Sequence, residues 1–164
     1  MPGTMTIPSH LSDRSKIWIF PAARPLSDSE KGALEGRMQS FFSKWASHGA
    51  PVPAAGSVVD DQFVVVAVDE SLAPSGCSID SLFREVKNIE RELEIPLLDS
   101  TRVFARQNDR ILSYTRQEFR REAAEGIIER TTEVYDTTVE TLEEIRNGHW
   151  RRPAGESWHK ELLG

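Results

Sequence analysis

Residues 63–68 of the chain, FVVVAV, are its most apolar run. A strand with one exposed face alternates apolar and polar residues, but this run is apolar at every position. The run therefore predicts a central β-strand that is covered on both faces. Asp60 and Asp61 form a break before it, and residues 57–59 are interpreted as an edge segment or as the entry to the strand.

On the N-terminal side of this strand, the sequence predicts a strand followed by a helix. Residues 16–20, KIWIF, are β-branched and aromatic and end at a proline, which is typical of a short strand. Ser27 followed by Glu30 is the pattern of a capping box, so the first helix is predicted to begin there. Gly49 is interpreted as the end of this helix.

On the C-terminal side, the helical spacing of apolar residues predicts a second helix over residues 78–93, with Ser78 as its N-cap. Asn108 and Asp109 separate two further segments and predict a β-hairpin. The remaining predicted elements are a helix opened by a capping box at Thr115 and Glu118, a strand within residues 131–136, and a helix that begins near residue 137.

This order of strands and helices predicts an α+β fold. The predicted architecture is a single domain over residues 16–164, with one mixed β-sheet of about five strands and helices packed on it. Residues 1–15 are rich in Pro, Ser, Thr and Gly and are predicted to be a flexible leader.

Composition narrows the class of protein. The 164 residues include 20 Lys and Arg against 26 Asp and Glu, a net charge of -6, which argues against a nucleic-acid partner. No segment approaches the run of about 20 apolar residues that a membrane helix needs, and the first residues lack the pattern of a signal peptide. One cysteine forms no internal disulfide, so we expect a cytoplasmic protein.

The segment SGCSID, residues 75–80, is the candidate ligand site. It opens the second predicted helix, where unpaired backbone N–H groups and a partial positive charge favour an anion. The structural alternative is a tight turn with a good helix cap and a small buried cysteine, which needs no ligand. The residues predicted to bind a small anionic ligand are Ser75, Gly76, Cys77, Ser78 and Asp80.

Thiol chemistry at Cys77 is the competing hypothesis. Thiols at helix N-termini are commonly more acidic and more nucleophilic than free cysteine. Catalysis would need a base, for which His159 is the favoured candidate, and an acid or orienting group, for which Asp69 or Asp80 is the candidate. The spacing of these residues along the chain does not bring them together, so the sequence leaves enzymatic activity undecided.

Other kinds of site lack their sequence patterns. Neither CxxC nor HExxH occurs, so no metal ion is expected, and neither GxxxxGK[ST] nor GxGxxG occurs, so no cofactor is expected. In the C-terminal segment ESWH, residues 156–159, Trp158 is predicted to pack the chain end onto the core or onto a neighbouring subunit. A homo-oligomer or a protein partner is therefore a third interpretation.

Three segments resemble a family of small bacterial proteins of the Bacteroidetes type that often carry the label ABC transporter ATPase. They are IWIF with FFSKWASHG, DQFVVVAVDES with SGCSIDS, and ESWH. The resemblance implies that these segments belong to one fold. It implies no ATP hydrolysis, because the chain lacks the phosphate loop and the LSGGQ-like signature that this activity requires. The leading interpretation is a non-catalytic binding or interaction protein.

Overall fold

The computed structural model describes residues 10–47, 49–69, 71 and 74–164, and its helices and strands confirm the predicted α+β class. None of the helices in this part of the chain combines the length and the apolar character that crossing a membrane requires. The strands are β1 (Lys16–Pro21), β2 (Ala46–Ser47), β3 (Ala50–Pro51), β4 (Ala54–Val59), β5 (Phe63–Val68), β6 (Val103–Gln107), β7 (Arg110–Tyr114), β8 (Glu133–Tyr135) and β9 (Arg151–Pro153). The helices are α1 (Asp28–Phe42), α2 (Gly76–Leu93), α3 (Arg116–Ala124) and α4 (Leu142–Arg146), and 3₁₀ turns follow at Ala154–Glu156 and Trp158–Leu162.

The strands form three antiparallel sheets, so the prediction of one mixed sheet of about five strands is wrong. The strand orders are β1-β5-β4, β2-β3 and β7-β6-β8-β9. β1 and β4 run in the same direction, but β5 lies between them and pairs with both. The predicted order of a strand at 16–20, a helix and a strand at 63–68 is typical of parallel neighbours. In the structure β4 lies between the helix and β5 in the chain, so β5 runs antiparallel to β1.

β5 is the central strand that the apolar run predicts. All six of its residues are buried, and it pairs along its full length with β1 on one side and β4 on the other. Asp60 and Asp61, at φ 52° and 59°, make the tight turn that joins β4 to β5. The segment at residues 57–59 is therefore part of the edge strand β4.

The chain divides into two compact units by its internal contacts. Unit 1 comprises residues 1–98 and 140–143, and unit 2 comprises residues 99–139 and 144–164. The single-domain prediction for residues 16–164 stays a prediction. The core of unit 1 includes Leu34 and Met38 of α1, Val64 and Val66 of β5, and Leu82 and Val86 of α2. The core of unit 2 includes Val103, Phe119, Val134 and Leu162.

The predicted leader ends earlier than residue 15. Leu11 is 2% exposed, and the backbone N–H of Leu142 donates to the carbonyl of Ser15, which is itself buried. A neighbouring hydrogen bond joins the N–H of Glu143 to the carbonyl of Asp13. Residues 11–15 are therefore packed into unit 1, whereas residues 1–9 lie outside the described part of the chain.

α1 begins where its capping box predicts but ends at Phe42, about two turns before Gly49. The Ser27 hydroxyl accepts from the N–H of Glu30, and the Glu30 carboxylate accepts from the N–H of Ser27. After Phe42 the chain leaves the helix, because Trp45 is buried and its indole N–H donates to the carbonyl of Ser78 at 2.8 Å. Gly49, at φ 81°, lies in the connection between β2 and β3 instead.

Candidate functional site

The first turn of α2 is held by two serines with different roles. Ser75, and not Ser78, is the N-cap: its backbone is extended and its hydroxyl oxygen accepts from the N–H of Ser78 at 3.2 Å. Ser78 instead donates its hydroxyl proton to the carbonyl of Ala46 at 2.7 Å, and the N–H of Ser75 donates to the hydroxyl of Ser47. The Ser75 hydroxyl therefore caps the helix, whereas the Ser78 hydroxyl and the Ser75 N–H fix the helix start to β2.

Gly76 and Cys77 supply backbone N–H groups at this helix end for which the described residues provide no acceptor. They are the first two residues of α2, and N–H groups at these positions have no acceptor within a helix. The first turn carries no acidic side chain that could cap them. A Cβ at Gly76 would meet open space, so this glycine is not required by close packing of the protein against itself.

Cys77 is exposed, so the interpretation of the thiol as a buried packing residue is wrong. The buried residues of α2 are Ser78, Leu82, Val86 and Ile89, which follow one another at helical spacing. Cys77 precedes this stripe by one residue and faces away from the core. We therefore expect iodoacetamide to alkylate the native protein without prior unfolding.

A pocket of about 420 Å³ opens at the N-terminus of α2. It contains four of the five predicted ligand residues, whereas Asp80 is exposed and does not line it. The pocket therefore agrees with the predicted position at residues 75–78 and not with the inclusion of Asp80. Its lining consists of Ala46, Ser75, Gly76, Cys77, Ser78 and Ser81.

A second pocket, of about 430 Å³, adjoins the first and shares Ala46 and Ser81 with it. We call the two pockets together the α1–α2 groove. The second pocket adds Phe41 as an apolar surface and Arg37, Lys44 and Glu85 as charged groups. The sequence did not predict this part of the site, because the end of α1 reaches α2 only in the folded chain.

The charges of the groove are unequally compensated. The Arg37 guanidinium forms ion pairs with Glu85, at 3.2 Å, and with Glu92. Lys44 is exposed, and no carboxylate in the described part of the chain pairs with its ammonium group. Within the part of the chain that the structure describes, the groove thus presents Lys44 as an uncompensated side-chain cation in addition to the positive end of α2.

His159, the candidate base, is a core residue of unit 2. It is 1% exposed, its ring stacks on Trp158 with centroids 4.1 Å apart, and Nδ1 is hydrogen-bonded to the Ser157 hydroxyl at 2.7 Å. Burial lowers the pKa of His159 to about 4; the Asp136 carboxylate opposes this shift, and Arg152 and Arg116 add to it. The ring is therefore neutral at pH 7 and a weak base.

Asp69, the candidate acid, stabilises a turn. Its carboxylate accepts from the N–H of Ser71 at 2.8 Å, and this hydrogen bond lowers the pKa of Asp69 below its usual range. Within the described residues, no histidine, aspartate or glutamate lines the pocket that contains Cys77. The thiol is therefore accessible to solvent, but the predicted acid and base do not line its pocket.

No protein-family model matches the chain, and neither a curated protein nor a solved structure matches it significantly. Among residues 10–47, 49–69, 71 and 74–164, no three His, Cys, Asp or Glu side chains are grouped so that they could hold a metal ion. The chemistry of the site therefore has to be argued from its own residues.

Proposed function

We propose that this protein is a non-catalytic binding protein whose α1–α2 groove holds a small anion. The observation that supports the proposal is the pocket at the start of α2, where the first helical turn carries no acidic side chain beside the N–H groups of Gly76 and Cys77. Helix N-termini bind anions through such N–H groups and through the helix dipole. Lys44, in the adjoining pocket, adds a positive charge to the same groove.

The ligand that fits this groove has an anionic head and an apolar body. The anion would accept hydrogen bonds from the helix N–H groups, and the body would lie against Phe41 in the adjoining pocket. Each pocket is slightly above 400 Å³, which is within the usual range of about 300–1,000 Å³ for small-molecule sites. A carboxylate or a phosphate monoester has the required charge.

The single thiol offers a direct test of anion binding. The test compares the rates at which anionic iodoacetate and neutral iodoacetamide alkylate Cys77. We expect the ratio of the iodoacetate rate to the iodoacetamide rate to be higher in the native protein than in the urea-unfolded chain. Inorganic phosphate should slow both reactions in a saturable way, because it would occupy the same N–H groups. Mass spectrometry of the intact chain measures the added mass, which reports on Cys77 because it is the sole cysteine.

Two variants and a matched control make this test specific. Ser81→Glu places a carboxylate in the pocket and should abolish the preference for iodoacetate. Lys44→Gln removes the added cation but leaves the helix N–H groups, so it should weaken this preference. Lys87→Gln removes an exposed cation of α2 that does not line the groove, and it should behave as wild type. The proposal would be refuted if the ratio of the iodoacetate rate to the iodoacetamide rate is the same in native and unfolded protein and phosphate has no saturable effect.

A thiol-dependent enzyme is the second candidate, and the exposure of Cys77 within a pocket favours it. The base proposed from the sequence, His159, is buried and held neutral, so the thiol would have to act without it. The test measures the nitrophenol that the protein releases from 4-nitrophenyl acetate. An enzyme would turn over and release several equivalents per chain, whereas a binding protein would release one equivalent as Cys77 is acetylated. Cys77→Ser is the control in both cases.

We also propose that the protein works in a reducing compartment, which for a bacterial chain is the cytoplasm. An exposed thiol without a partner in its own chain is stable as a thiol where glutathione or thioredoxin keeps cysteines reduced. Fractionation of the native host with an antibody against the chain tests this location. Recovery in a secreted or periplasmic fraction would contradict it.

A further inference from the structure

β7 lies at one edge of the four-stranded sheet of unit 2, where β6 is its only neighbour among the described strands. An edge strand presents backbone N–H and C=O groups that a further strand can pair with, and many proteins cover or interrupt such edges. β7 contains no proline, and Ile111, Leu112 and Ser113 are partly exposed. This edge is therefore a surface that can bind an extended chain by β-strand addition.

The hairpin turn determines which backbone groups of β7 point away from β6. The two-residue turn at 108–109 has positive φ at both positions, so Gln107 and Arg110, which flank it, form a hydrogen-bonded pair. Hydrogen-bonded and non-hydrogen-bonded pairs alternate along an antiparallel ladder. The N–H and C=O groups of Ile111 and Ser113 therefore point outward.

A contact from Arg102 agrees with this assignment. Its Nη2 donates to the carbonyl of Ser113 at 3.1 Å, which is an oxygen that the alternation places on the outer side. A carbonyl oxygen accepts two hydrogen bonds, so a second donor can still bind there. The outward N–H groups of Ile111 and Ser113 have no acceptor among the described residues. The edge thus offers both donors and acceptors to another strand.

We propose that β7 pairs with β7 of a second copy of this chain in an antiparallel, two-fold symmetric dimer. One register pairs all five residues of each strand, and in it Leu112 lies opposite the partner's Leu112. Ile111 then lies opposite the partner's Ser113, so the outward groups of these residues exchange hydrogen bonds on both sides of the axis. The two leucines add an apolar contact at the centre.

The charges at the two ends of β7 favour a second copy as the occupant. Arg110 is exposed at one end, and no carboxylate of the described residues pairs with it. At the other end, Tyr114 lies beside the carboxylates of Glu118 and Glu122. Alternate residues of a strand share a face, so Arg110 would approach the partner's Tyr114 on the face that carries these carboxylates. Each copy therefore brings a cation to the acidic end of the other.

Sedimentation velocity over a range of concentrations measures the association of the full chain. A reductant should be present, so that the exposed Cys77 forms no disulfide between copies. We expect a reversible monomer–dimer equilibrium with a dissociation constant below about 1 mM. Amide exchange at Ile111 and Ser113 should slow as the concentration rises, whereas Leu112, which bonds to β6, should exchange slowly throughout.

A proline substitution tests the outward hydrogen bonds. Ile111→Pro removes an outward N–H but none of the ladder bonds to β6, because proline is tolerated where the N–H of an edge strand faces solvent. We expect it to weaken the dimer by about tenfold or more. Ile111→Val keeps the N–H and should leave the dissociation constant within about twofold. Circular dichroism checks that both variants fold.

A charge reversal tests the ends of the strand and remains informative if the proline variant does not fold. Arg110→Glu brings a carboxylate to the acidic end of the partner's strand and should weaken the dimer by about tenfold. Arg120→Glu makes the same change at an exposed position of α3 that does not line the pocket beside β7, and it should behave as wild type.

Two results would overturn the proposal. One is a wild-type chain that stays monomeric up to about 1 mM, which would leave the β7 edge to a partner of another kind. The other is a dimer that neither Ile111→Pro nor Arg110→Glu weakens, because such a dimer would use a different surface.

This inference does not depend on the function proposed for unit 1. β7 shares no residue with the α1–α2 groove, and the association experiments do not use the thiol. A failure to dimerise would therefore leave the anion proposal untouched, and the converse also holds.

Discussion

His159 carries an ionisable ring into the apolar core of unit 2. The ring lies against Trp158 and Phe119, and Nε2 is a buried nitrogen without a hydrogen-bond partner in the described residues. Burial disfavours the charged form of the imidazole, so the folded protein binds a proton here less readily than the unfolded chain does. This difference makes stability depend on pH.

We predict that acid destabilises the protein through His159. The pKa of a histidine in the unfolded chain is about 6.5, whereas the pKa of His159 in the folded protein is about 4. Its contribution to stability is complete above pH ~6.5 and is lost as pH falls toward ~4, with a loss of about 2 kcal/mol by pH 5. Urea unfolding at pH 7 and pH 5 measures this loss.

Two variants separate this contribution from those of other acid-sensitive groups. His159→Gln removes the imidazole and should show a smaller drop between pH 7 and pH 5, whatever its stability at pH 7. His149→Gln removes an exposed histidine of the same unit and should keep the wild-type drop. Equal drops in wild type and His159→Gln would mean that the acid sensitivity arises elsewhere.

The capping box of α1 is a local feature that the sequence identifies. Ser27 and Glu30 exchange two hydrogen bonds, and Arg24 adds an ion pair to the same carboxylate at 2.8 Å. We predict that Ser27→Ala lowers the free energy of unfolding by about 1 kcal/mol, because an N–H of the first turn loses its acceptor. Ser29→Ala, at an exposed position of the same turn, should change the urea midpoint far less.

A charged substitution in the central strand β5 should lower the free energy of unfolding more than the loss of the α1 cap does. Val65 is 1% exposed and lies in the middle of the sheet between β1 and β4. Val65→Asp would bury a carboxylate without a partner, and we expect it to unfold unit 1. Val65→Ala removes volume without adding charge and should stay folded, as circular dichroism and thermal melting would show. A soluble Val65→Asp variant with a near-native melting temperature would contradict the central position of β5.

Local patterns explain which elements could be predicted from the sequence. Capping boxes and the Asn108–Asp109 turn depend on residues a few positions apart, and both are found where they were expected. The end of α1 depends on the bond from Trp45 to Ser78, and the choice of Ser75 as N-cap depends on the bond from Ser78 to Ala46. Such bonds join distant parts of the chain and leave no local pattern.

The candidate site also combines a part that a local sequence pattern predicts with a part that only folding brings together. Residues 75–78 were predicted because a helix N-terminus has recognisable chemistry by itself. The other wall of the groove, with Arg37 and Lys44, comes from α1 and reaches α2 only through folding. His159 was a reasonable base by residue type, but its burial depends on the packing of unit 2, which spacing along the chain does not encode.

The chain returns to unit 1 after most of the residues of unit 2. Residues 140–143 belong to unit 1, and the N–H of Ile17 donates to the carbonyl of Glu140 at 3.0 Å. Lys16 and Thr141 form an antiparallel bridge next to this bond. The connection means that neither unit consists of one continuous segment.

We predict that the two units unfold together. If residues 140–143 leave β1 when either unit opens, the opening of one unit weakens the other. Native-state hydrogen exchange in increasing urea should give β5 of unit 1 and β6 of unit 2 the same limiting free energy of opening. Two distinct limiting values would show that the units are independent domains, contrary to the single-domain prediction for residues 16–164.

We also predict that the chain neither binds ATP specifically nor hydrolyses it. The sequence contains no phosphate loop, which is the element that cradles the β- and γ-phosphates in such enzymes. Calorimetry with Mg·ATP measures this directly. Stoichiometric binding that one pocket mutation abolishes would contradict the prediction and would support an ATPase.

Because residues 140–143 belong to unit 1, this unit cannot be completed during synthesis until they have been made. Residues 1–98 leave the ribosome first, but the segment that pairs with β1 follows roughly 45 residues later, a delay of a few seconds at about 5–20 residues per second. During this interval β1 lacks the bridge between Lys16 and Thr141 and the bond from Ile17 to Glu140. A stop codon at residue 139 would make that state permanent, so truncated chains should aggregate even though most of unit 1 has been made.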